Sequence, residues 1–317
     1  MESLNIAVLG SNEFLHEFGK RGTTSDIVLY DRKLNDRIFT FIAPISFPDK
    51  IQTLPQVLNM TDFVVLNITQ LDKYLAEEII AINSLDIRNG FLLHSYDIDE
   101  QKLDQMIKGT TIENFKKIES LDILKNEINN LHSNSREGDI LMPIDHSFDV
   151  KGVGTVLLGG IKQGKIKLYD KLRILPLNKE VLIKSIQMHD DPVDESSSPS
   201  RVGLAVKGVL PREIERGDII CSGDNLKTAN TEVLVRDFSK NKYYKGEITD
   251  TQTYLLSVGL QIKPLKIAIN KSKILLSLEK PIAFYEKQKF LILKPDSKTT
   301  RIIAEGAFPP VNQKFDM

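Results

Sequence analysis

The chain has 317 residues, 41% of them hydrophobic and 27% charged, which is typical of a globular protein with two or three domains. Its single cysteine, Cys221, excludes an internal disulfide and a thiolate metal cluster, and its formal net charge of −1 excludes a strongly basic or acidic chain. We expect a cytoplasmic protein, because no apolar run approaches the roughly 18 residues that cross a bilayer and the N-terminus lacks a signal-peptide pattern.

The first 137 residues alternate apolar strand-like runs with segments of helical periodicity. The runs NIAVLG, DFVVLNIT and GFLLHSYD are nearly continuous in apolar residues, as in strands buried on both faces of a sheet. Helical spacing of Leu75, Ile79, Ile80 and Ile82 follows the second of these runs. Alternation of this kind predicts an α/β domain with a parallel sheet and right-handed crossovers.

A polar, turn-rich segment at 132–139 separates this region from a different kind of sequence. Beyond it, short β-branched runs are separated by Gly, Pro, Asn and Asp, which is typical of antiparallel β-barrels. The length of this part suffices for two barrels, and we place the break between them near 221–225. The predicted domains are therefore 1–137, 138–223 and 224–317.

The middle domain carries the most specific pattern in the chain. PIDHSFDVKGVGTVLLGG (143–160) resembles the opening of the second domain of translational GTPases of the elongation factor Tu and SelB type. SIQMHDDPV (185–193) resembles the central strand of that domain, and RVGLAVKGV (201–209) followed by EIERGDIIC (213–221) resembles its close. Order and spacing agree over about 80 residues, and the resemblance implies a GTPase-like α/β domain followed by two antiparallel β-barrels.

In this family the second domain holds a shallow pocket for the aminoacyl end of a charged tRNA. The resemblance places Gln187, His189 and Arg201 at that pocket. Such side chains can bind an aminoacyl ester, a terminal adenosine or a phosphate through hydrogen bonds and charge. The alternative interpretation is that His189, just before Asp190, is a surface histidine at a strand end.

The phosphate-binding loop of the family is not present after the first strand. Such a loop needs G-x-x-x-x-G-K-[ST], so that backbone amides surround the phosphates, the Lys reaches them and a hydroxyl binds Mg²⁺. Here eight residues separate Gly10 from Gly19-Lys20, and Arg21 replaces the hydroxyl residue. The intervening NEFLHEFGK predicts a short amphipathic helix instead.

A second GTPase motif is displaced. KRGTTSDI resembles the switch I sequence R-G-x-T-I-D, so Thr24, preceded by Thr23, lies where the family carries its Mg²⁺-binding threonine. The motif follows Gly10 by only a dozen or so residues, whereas the family places several tens between them. A switch shortened in this way cannot close over a nucleotide as the family's does.

The two remaining GTPase motifs are also incomplete. At the family's D-T-P-G-H segment only Pro44 matches, and the Asp, Gly and His positions hold Ile42, Ile45 and Ser46. At the guanine-reading N-K-x-D the Asn and Lys are replaced and Asp97 alone remains. We interpret Asp97 as a turn or helix N-terminal residue more readily than as a guanine ligand.

The combination of a kept second domain and lost motifs resembles the archaeal SelB-like proteins with degenerate GTPase motifs. That resemblance implies that neither GTP nor Mg²⁺ is a cofactor. The five histidines show no metal-ligand spacing and no nucleophile motif is present. We therefore expect no metal site and no catalytic residue.

Two functional hypotheses follow from the sequence. The first is a binding module without GTP hydrolysis that acts on tRNA, another RNA or the ribosome. Residues 225–317 carry 16 Lys and Arg against 9 Asp and Glu, a net charge of +7 that suits a polyanion, although lysines also commonly cover a solvated β-surface. The second is an atypical nucleotide-binding switch that uses Lys20, Thr23, Thr24 and Asp97. The sequence leaves the oligomeric state open.

Overall fold

The computed structural model describes residues 2–235, 237–270 and 273–309, apart from the side chains of Thr23 and Asn270. The chain forms two compact units. The first contains the described residues up to Ser133 together with Pro295–Ile302, and the second contains Asn134–Lys294 and the described residues from Ile303 onward. The two barrels expected from the sequence therefore belong to one unit, whereas Pro295–Ile302 belongs with the N-terminal sheet.

A seven-stranded sheet organises the first unit, in the order β2-β3-β4-β1-β5-β6-β7. The strands are β1 (Glu2–Gly10), β2 (Lys20–Thr24), β3 (Val28–Leu34), β4 (Arg37–Ala43), β5 (Phe63–Ile68), β6 (Gly90–His94) and β7 (Lys116–Lys117). The strands from β4 to β7 in this order run parallel, as predicted. Strand β3 is antiparallel to both neighbours. The sequence predicted a parallel sheet, so this antiparallel pairing was not predicted. Only Asn35 and Asp36 connect β3 to β4, and so short a turn permits only antiparallel pairing.

Helices of the first unit follow the strands as the periodicity predicted. They are α1 (Leu15–Phe18), α2 (Thr53–Met60), α3 (Lys73–Ser84), α4 (Glu100–Ile107) and α5 (Leu121–Asn129), with a 3₁₀ turn at Thr111–Asn114. Asp72, Asp99 and Ser120 begin α3, α4 and α5 as caps whose side-chain oxygens accept backbone amides of the first turn. The short helix predicted between Gly10 and Lys20 is confirmed, with Leu15 and Phe18 buried.

The second unit begins with a barrel in the order β11-β16-β8-β9-β15-β12-β13, which closes through an additional pairing of β11 with β12. Its strands are β8 (Leu141–Val150), β9 (Gly154–Gly160), β10 (Lys165–Lys167), β11 (Lys171–Leu175), β12 (Lys179–Met188), β13 (Asp191–Val193), β14 (Glu195–Ser197), β15 (Arg201–Lys207) and β16 (Ile219–Cys221). Strands β10 and β14 form a separate ribbon. Alternation in β9 buries Thr155 and Leu157 and turns Val156 and Leu158 outward, which is the expected period-two pattern.

The last part of the second unit is another antiparallel sheet, in the order β18-β22-β21-β20-β24-β25-β19. Its strands, with the ribbon partners β17 and β23, are β17 (Leu226–Ala229), β18 (Glu232–Val235), β19 (Asp237–Lys240), β20 (Tyr254–Val258), β21 (Gln261–Asn270), β22 (Lys273–Leu278), β23 (Ile282–Tyr285), β24 (Lys289–Leu293) and β25 (Ile302–Ala307). Its core contains Tyr254, Leu256, Leu276, Phe290 and Phe308.

Direct contacts join the two barrels inside this unit. An apolar cluster is formed by Leu175, Ile219, Cys221 and Ala283. Glu215 of the first barrel accepts a hydrogen bond from Lys280 at 2.7 Å and pairs with the buried Lys263 of the second. Gly217 is needed at the junction, because a Cβ there would lie 2.5 Å from the backbone nitrogen of Gln261. The fold class expected from the sequence, a GTPase-like α/β domain followed by two antiparallel barrels, is confirmed.

Candidate functional site

The end of β1 is the place where a phosphate-binding loop would begin, and here its backbone is hydrogen-bonded to the protein's own groups. Gly10 has φ +70°, and a Cβ at this position would lie 2.1 Å from the carbonyl oxygen of Asn67, so only glycine fits. The backbone nitrogen of Gly10 donates to Oε1 of Glu78 at 2.8 Å. Ser11 and Asn67 exchange two further hydrogen bonds of 3.0 Å each. Gly10 is thus fixed by strand packing and by a carboxyl group.

Glu78 is buried, with only 4% of its surface exposed, on the face of α3 that packs against the sheet. Burial raises its pKa to about 7, the hydrogen bond from Gly10 opposes this shift, and the negative charges of Asp72 and Glu77 add to it. The carboxyl group is therefore partly protonated near neutral pH. The sequence pattern did not indicate this residue, because acids in the first half of a helix usually face water.

The raised pKa of Glu78 predicts a pH-dependent stability of the first unit. The folded-state pKa of about 7 exceeds the ordinary value of 4.5. The contribution of protonated Glu78 to the free energy of unfolding is therefore fully present below pH 4.5 and is lost as the pH rises through 7. We expect Glu78→Gln, which stays neutral, to gain about 3 kcal/mol relative to the wild type between about pH 5 and about pH 8. Urea denaturation at several pH values measures this, and a pH-independent difference between the two proteins would contradict it.

Lys20 lies far from Gly10 although only a short helix separates them in sequence. It begins the edge strand β2, and the strand register runs from Lys20 through Asp31 and Thr40 to Asn5, five residues before Gly10. Three strand spacings of about 4.8 Å and five residues of about 3.3 Å place the two Cα atoms roughly 20 Å apart. From this position the Lys20 ammonium group cannot reach a phosphate bound at the end of β1.

The other nucleotide-site candidates are also dispersed. Thr24 ends β2, where its hydroxyl accepts from Arg21 Nε at 3.2 Å. Thr23 lies in the same strand, and its side chain is outside the described residues. Asp97 is exposed in the turn after β6, and the neighbouring Asp99, not Asp97, caps α4. The structure does not bring Lys20, Thr24 and Asp97 together around Gly10.

Gln187 and His189 lie close together at one end of the first barrel. Gln187 is exposed on β12 and pairs with Gly203 of β15 and with Pro192 of β13. His189 and Asp190, with φ of 50° and 69°, form the two-residue turn between β12 and β13. Both central residues of a type I′ hairpin turn have positive φ, which explains this geometry. The exposed imidazole therefore lies at the tip of a hairpin, beside the open amide of Gln187.

Arg201 begins β15, but its guanidinium is bound within the barrel. Its Nη2 donates to Oδ1 of Asp145 at 2.9 Å and its Nη1 donates to Oδ2, so the pair is bidentate. The side chains are 16% and 3% exposed. Asp145 lies where the register of β8 against β9 shifts between Ile144 and His146. This irregularity aims the carboxylate at Arg201.

A hydrogen-bond network keeps Asp145 ionised. Burial alone would raise its pKa, but the charge and hydrogen bonds of Arg201 and the nearby ring of His146 lower it below the usual value. His146 Nδ1 is 2.7 Å from the carboxylate, and Arg216 Nε donates to the Asp145 carbonyl at 3.2 Å. Sequence reasoning did not single out Asp145. The available signal was that this acidic residue directly follows an apolar residue, Ile144, in a strand-like run, which suggests a buried carboxylate that needs a partner.

Comparison with known proteins shows which family this architecture belongs to. The family model of elongation factor Tu domain 2 matches residues 154–221. An uncharacterised protein of Methanocaldococcus jannaschii is 33% identical, over 96% of this chain and 99% of its own. The selenocysteine-specific elongation factor of that organism is 30% identical, over 85% of this chain and 62% of its own. The chain belongs to the SelB-like proteins of the translational GTPase superfamily.

The solved structures agree with this assignment at the level of the fold. The translation elongation factor SelB of Methanococcus maripaludis, in complex with the GTP analogue GppNHp, superposes with a TM-score of 0.80. That comparison covers 98% of this chain and 80% of the SelB chain at 22% identity. A bacterial selenocysteine-specific elongation factor gives a TM-score of 0.76 at 17% identity. The SelB-like chain thus shares the fold of the part of these factors that it covers, which is 80% of the first and 60% of the second.

A groove with a volume of ≈ 430 Å³ lies elsewhere on the SelB-like first barrel. It opens at the C-terminal end of β15, where Lys184, Lys207, Val153 and Leu210 line it. Arg201 begins the same strand at its opposite end, so the groove does not include the residues inferred for the aminoacyl end. The aminoacyl-end candidates therefore lie on an open surface rather than in this groove.

The described part of this SelB-like chain offers neither a cluster of metal-binding side chains nor a reactive thiol. No group of three or more His, Cys, Asp or Glu side chains there is placed to hold a metal ion. Burial raises the pKa of the Cys221 thiol, which disfavours the thiolate. No helix among the described residues is long and apolar enough to cross a membrane.

Proposed function

We propose that this SelB-like protein is a cytoplasmic translation-factor-like module that binds tRNA, another RNA or the ribosome and neither binds nor hydrolyses GTP. Its surfaces for RNA would be the exposed end of the first barrel and the basic second barrel. The relatives supply the translational context, since their names describe selenocysteine-specific elongation factors. The loss of the nucleotide is the part of the proposal that depends on the geometry of the first unit.

One observation carries this proposal: the amide of Gly10 donates to the buried carboxyl group of Glu78. In a phosphate-binding loop the backbone amides after the first strand donate hydrogen bonds to the phosphate oxygens of the nucleotide. Here the first of these amides already has an acidic partner from α3. A phosphate at the same place would compete with the Glu78 carboxyl group for this amide, and the ionised fraction of Glu78 would repel it.

The proposed RNA surface uses side chains that remain accessible. Gln187 and His189 are exposed and adjacent at one end of the first barrel, so they can contact a terminal nucleotide or an aminoacyl group by hydrogen bonds. We propose a different role for Arg201, which holds Asp145 and thereby positions β8 beside this surface. The net charge of +7 in residues 225–317 would contribute attraction to the phosphate backbone.

Filter binding with aminoacyl-tRNA over a salt series tests the RNA-binding part of the proposal. Contacts to phosphates release counterions, so we expect the logarithm of the association constant to fall linearly and steeply with the logarithm of the salt concentration. Absence of binding to both tRNA and ribosomes at low salt would refute the proposed function.

The second candidate function is an atypical nucleotide switch, and the structural likeness to a SelB bound to a GTP analogue favours it. Its site would have to be assembled from Lys20, Thr23, Thr24 and Asp97. Calorimetry with GTP, GDP and ATP in the presence of Mg²⁺ separates the two candidates. A dissociation constant below about 100 μM, equivalent to about −5.5 kcal/mol, would support the switch. We expect no measurable heat of binding.

A further inference from the structure

A short loop after β19 places aromatic and basic side chains next to each other. Residues 240–246 read KNKYYKG and contain three lysines, two tyrosines and no acid. Two hydrogen bonds to Asn241 shape the turn, one from the Tyr244 amide to its carbonyl at 3.0 Å and one from the Tyr243 amide to its Oδ1 at 2.9 Å. The Asn241 amide donates to the carbonyl of Ile303 at 2.9 Å. The loop is therefore held to the barrel at its base.

The two adjacent tyrosines have opposite environments. Tyr244 is 5% exposed, belongs to the core of the second barrel and donates its hydroxyl to the Glu247 carbonyl at 3.4 Å. Gly246 packs so closely that a Cβ there would lie 2.5 Å from the Tyr244 hydroxyl. Tyr243, by contrast, is 54% exposed. Tyr244 anchors the loop, and the same anchor presents the ring of Tyr243 to solvent.

One lysine ammonium group lies against each of the two tyrosine rings. The Lys242 ammonium lies 4.9 Å from the centroid of the Tyr243 ring, and the Lys240 ammonium lies 5.5 Å from that of Tyr244. Lys245, which follows Tyr244 in the sequence, is also exposed. An aromatic face beside several lysines is the combination that binds single strands, because bases stack on the ring while ammonium groups contact the flanking phosphates.

We propose that Tyr243 is a stacking platform for an unpaired nucleobase of RNA, with Lys240, Lys242 and Lys245 contacting the adjacent phosphates. The inference rests on the proposed RNA-binding function and specifies its partner as a single-stranded segment. Duplex RNA does not fit the platform equally well, because its bases are already stacked and its deep major groove does not admit side chains. The platform is separate from Gln187 and His189 on the first barrel.

Fluorescence anisotropy with a fluorescein-labelled oligouridine tests the platform, with a labelled RNA duplex as the second probe. We expect Tyr243→Ala to weaken oligouridine binding by about 5- to 150-fold, the range for loss of one base stack. Tyr243→Phe keeps the ring and should bind within about twofold of the wild type. Lys242→Gln should reduce the salt slope for the single strand by about 0.7.

Tyr96→Ala is the matched control, because Tyr96 is 100% exposed in the first unit and its loss should leave binding unchanged. The inference is overturned if Tyr243→Ala binds oligouridine like the wild type, or if duplex binding falls as much as single-strand binding. It is also overturned if the wild type binds tRNA but not oligouridine at low salt, and that result leaves the proposed function intact. Failure to bind tRNA, ribosomes or oligouridine would refute both.

Discussion

Arg301→Ala is expected to destabilise the first unit by about 3–5 kcal/mol, the usual cost of removing one partner of a buried ion pair. The Arg301 side chain is 12% exposed and that of Glu77 is 5% exposed. Arg301 Nε is 3.1 Å from both carboxylate oxygens, and Nη2 is 2.5 Å from Oε2. Its Nη1 donates to the carbonyl of Pro48, and the guanidinium lies 5.6 Å from the ring centroid of Phe47 and 5.8 Å from that of Tyr74.

The large expected effect comes from the carboxylate that remains. After the substitution, Glu77 would keep the hydrogen bond from the backbone nitrogen of residue 301 but lose every charged donor of the pair. Chemical denaturation of Arg301→Ala, Glu77→Ala and the double variant measures the coupling, which we expect to be strongly non-additive. Arg88→Ala is the control, since its pair with Asp86 is exposed and contributes about 1 kcal/mol at most. Equal effects of Arg301→Ala and Arg88→Ala would contradict the assignment.

Arg201→Ala is expected to destabilise the second unit by about 3–5 kcal/mol, because it leaves the carboxylate of Asp145 buried and ionised. Arg201→Lys should recover only part of this loss, since an ammonium group cannot form the bidentate pair. Denaturation followed by circular dichroism measures both variants. The sequence-based hypothesis assigned Arg201 to RNA contact, whereas its geometry assigns it to the interior of the barrel.

Gln187→Ala provides the contrast, because Gln187 is exposed and its truncation should change stability by about 0.5 kcal/mol or less. We expect this variant to weaken tRNA binding while it remains folded. If Arg201→Ala were as stable as the wild type and only its RNA binding fell, Arg201 would be a direct RNA contact. Its role in positioning Asp145 would then be wrong.

Local patterns predicted much of the fold. Alternating strands and helices indicated the N-terminal α/β domain, and short β-branched runs indicated the two barrels. The antiparallel direction of β3 was missed, although its cause is local: the turn at Asn35 leaves no room for a crossover. The grouping of Pro295–Ile302 with the first unit could not be predicted, because it depends on contacts such as that between Arg301 and Glu77, which are 224 residues apart.

The candidate site was predictable to a smaller extent. The apolar run NIAVLG indicated a strand that ends near Gly10, and β1 does end there. The assignment of Gln187 to an aminoacyl-end pocket stays a prediction. Periodicity gave no sign that Glu78 is buried against Gly10, because a helix pattern treats acids as its solvated face. Asp145 was missed for a related reason, since a strand irregularity re-aims it toward Arg201. Both cases involve buried acids whose partners are distant in sequence.

We infer that RNA binding persists without a nucleotide, and the affinity for aminoacyl-tRNA measured with and without saturating GTP and Mg²⁺ tests this most directly. We expect the same dissociation constant under both conditions, because the amide of Gly10 is bound to Glu78 and Lys20 lies on the far edge of the sheet. A tenfold or greater tightening by GTP, equivalent to about 1.4 kcal/mol of coupling, would contradict the claim.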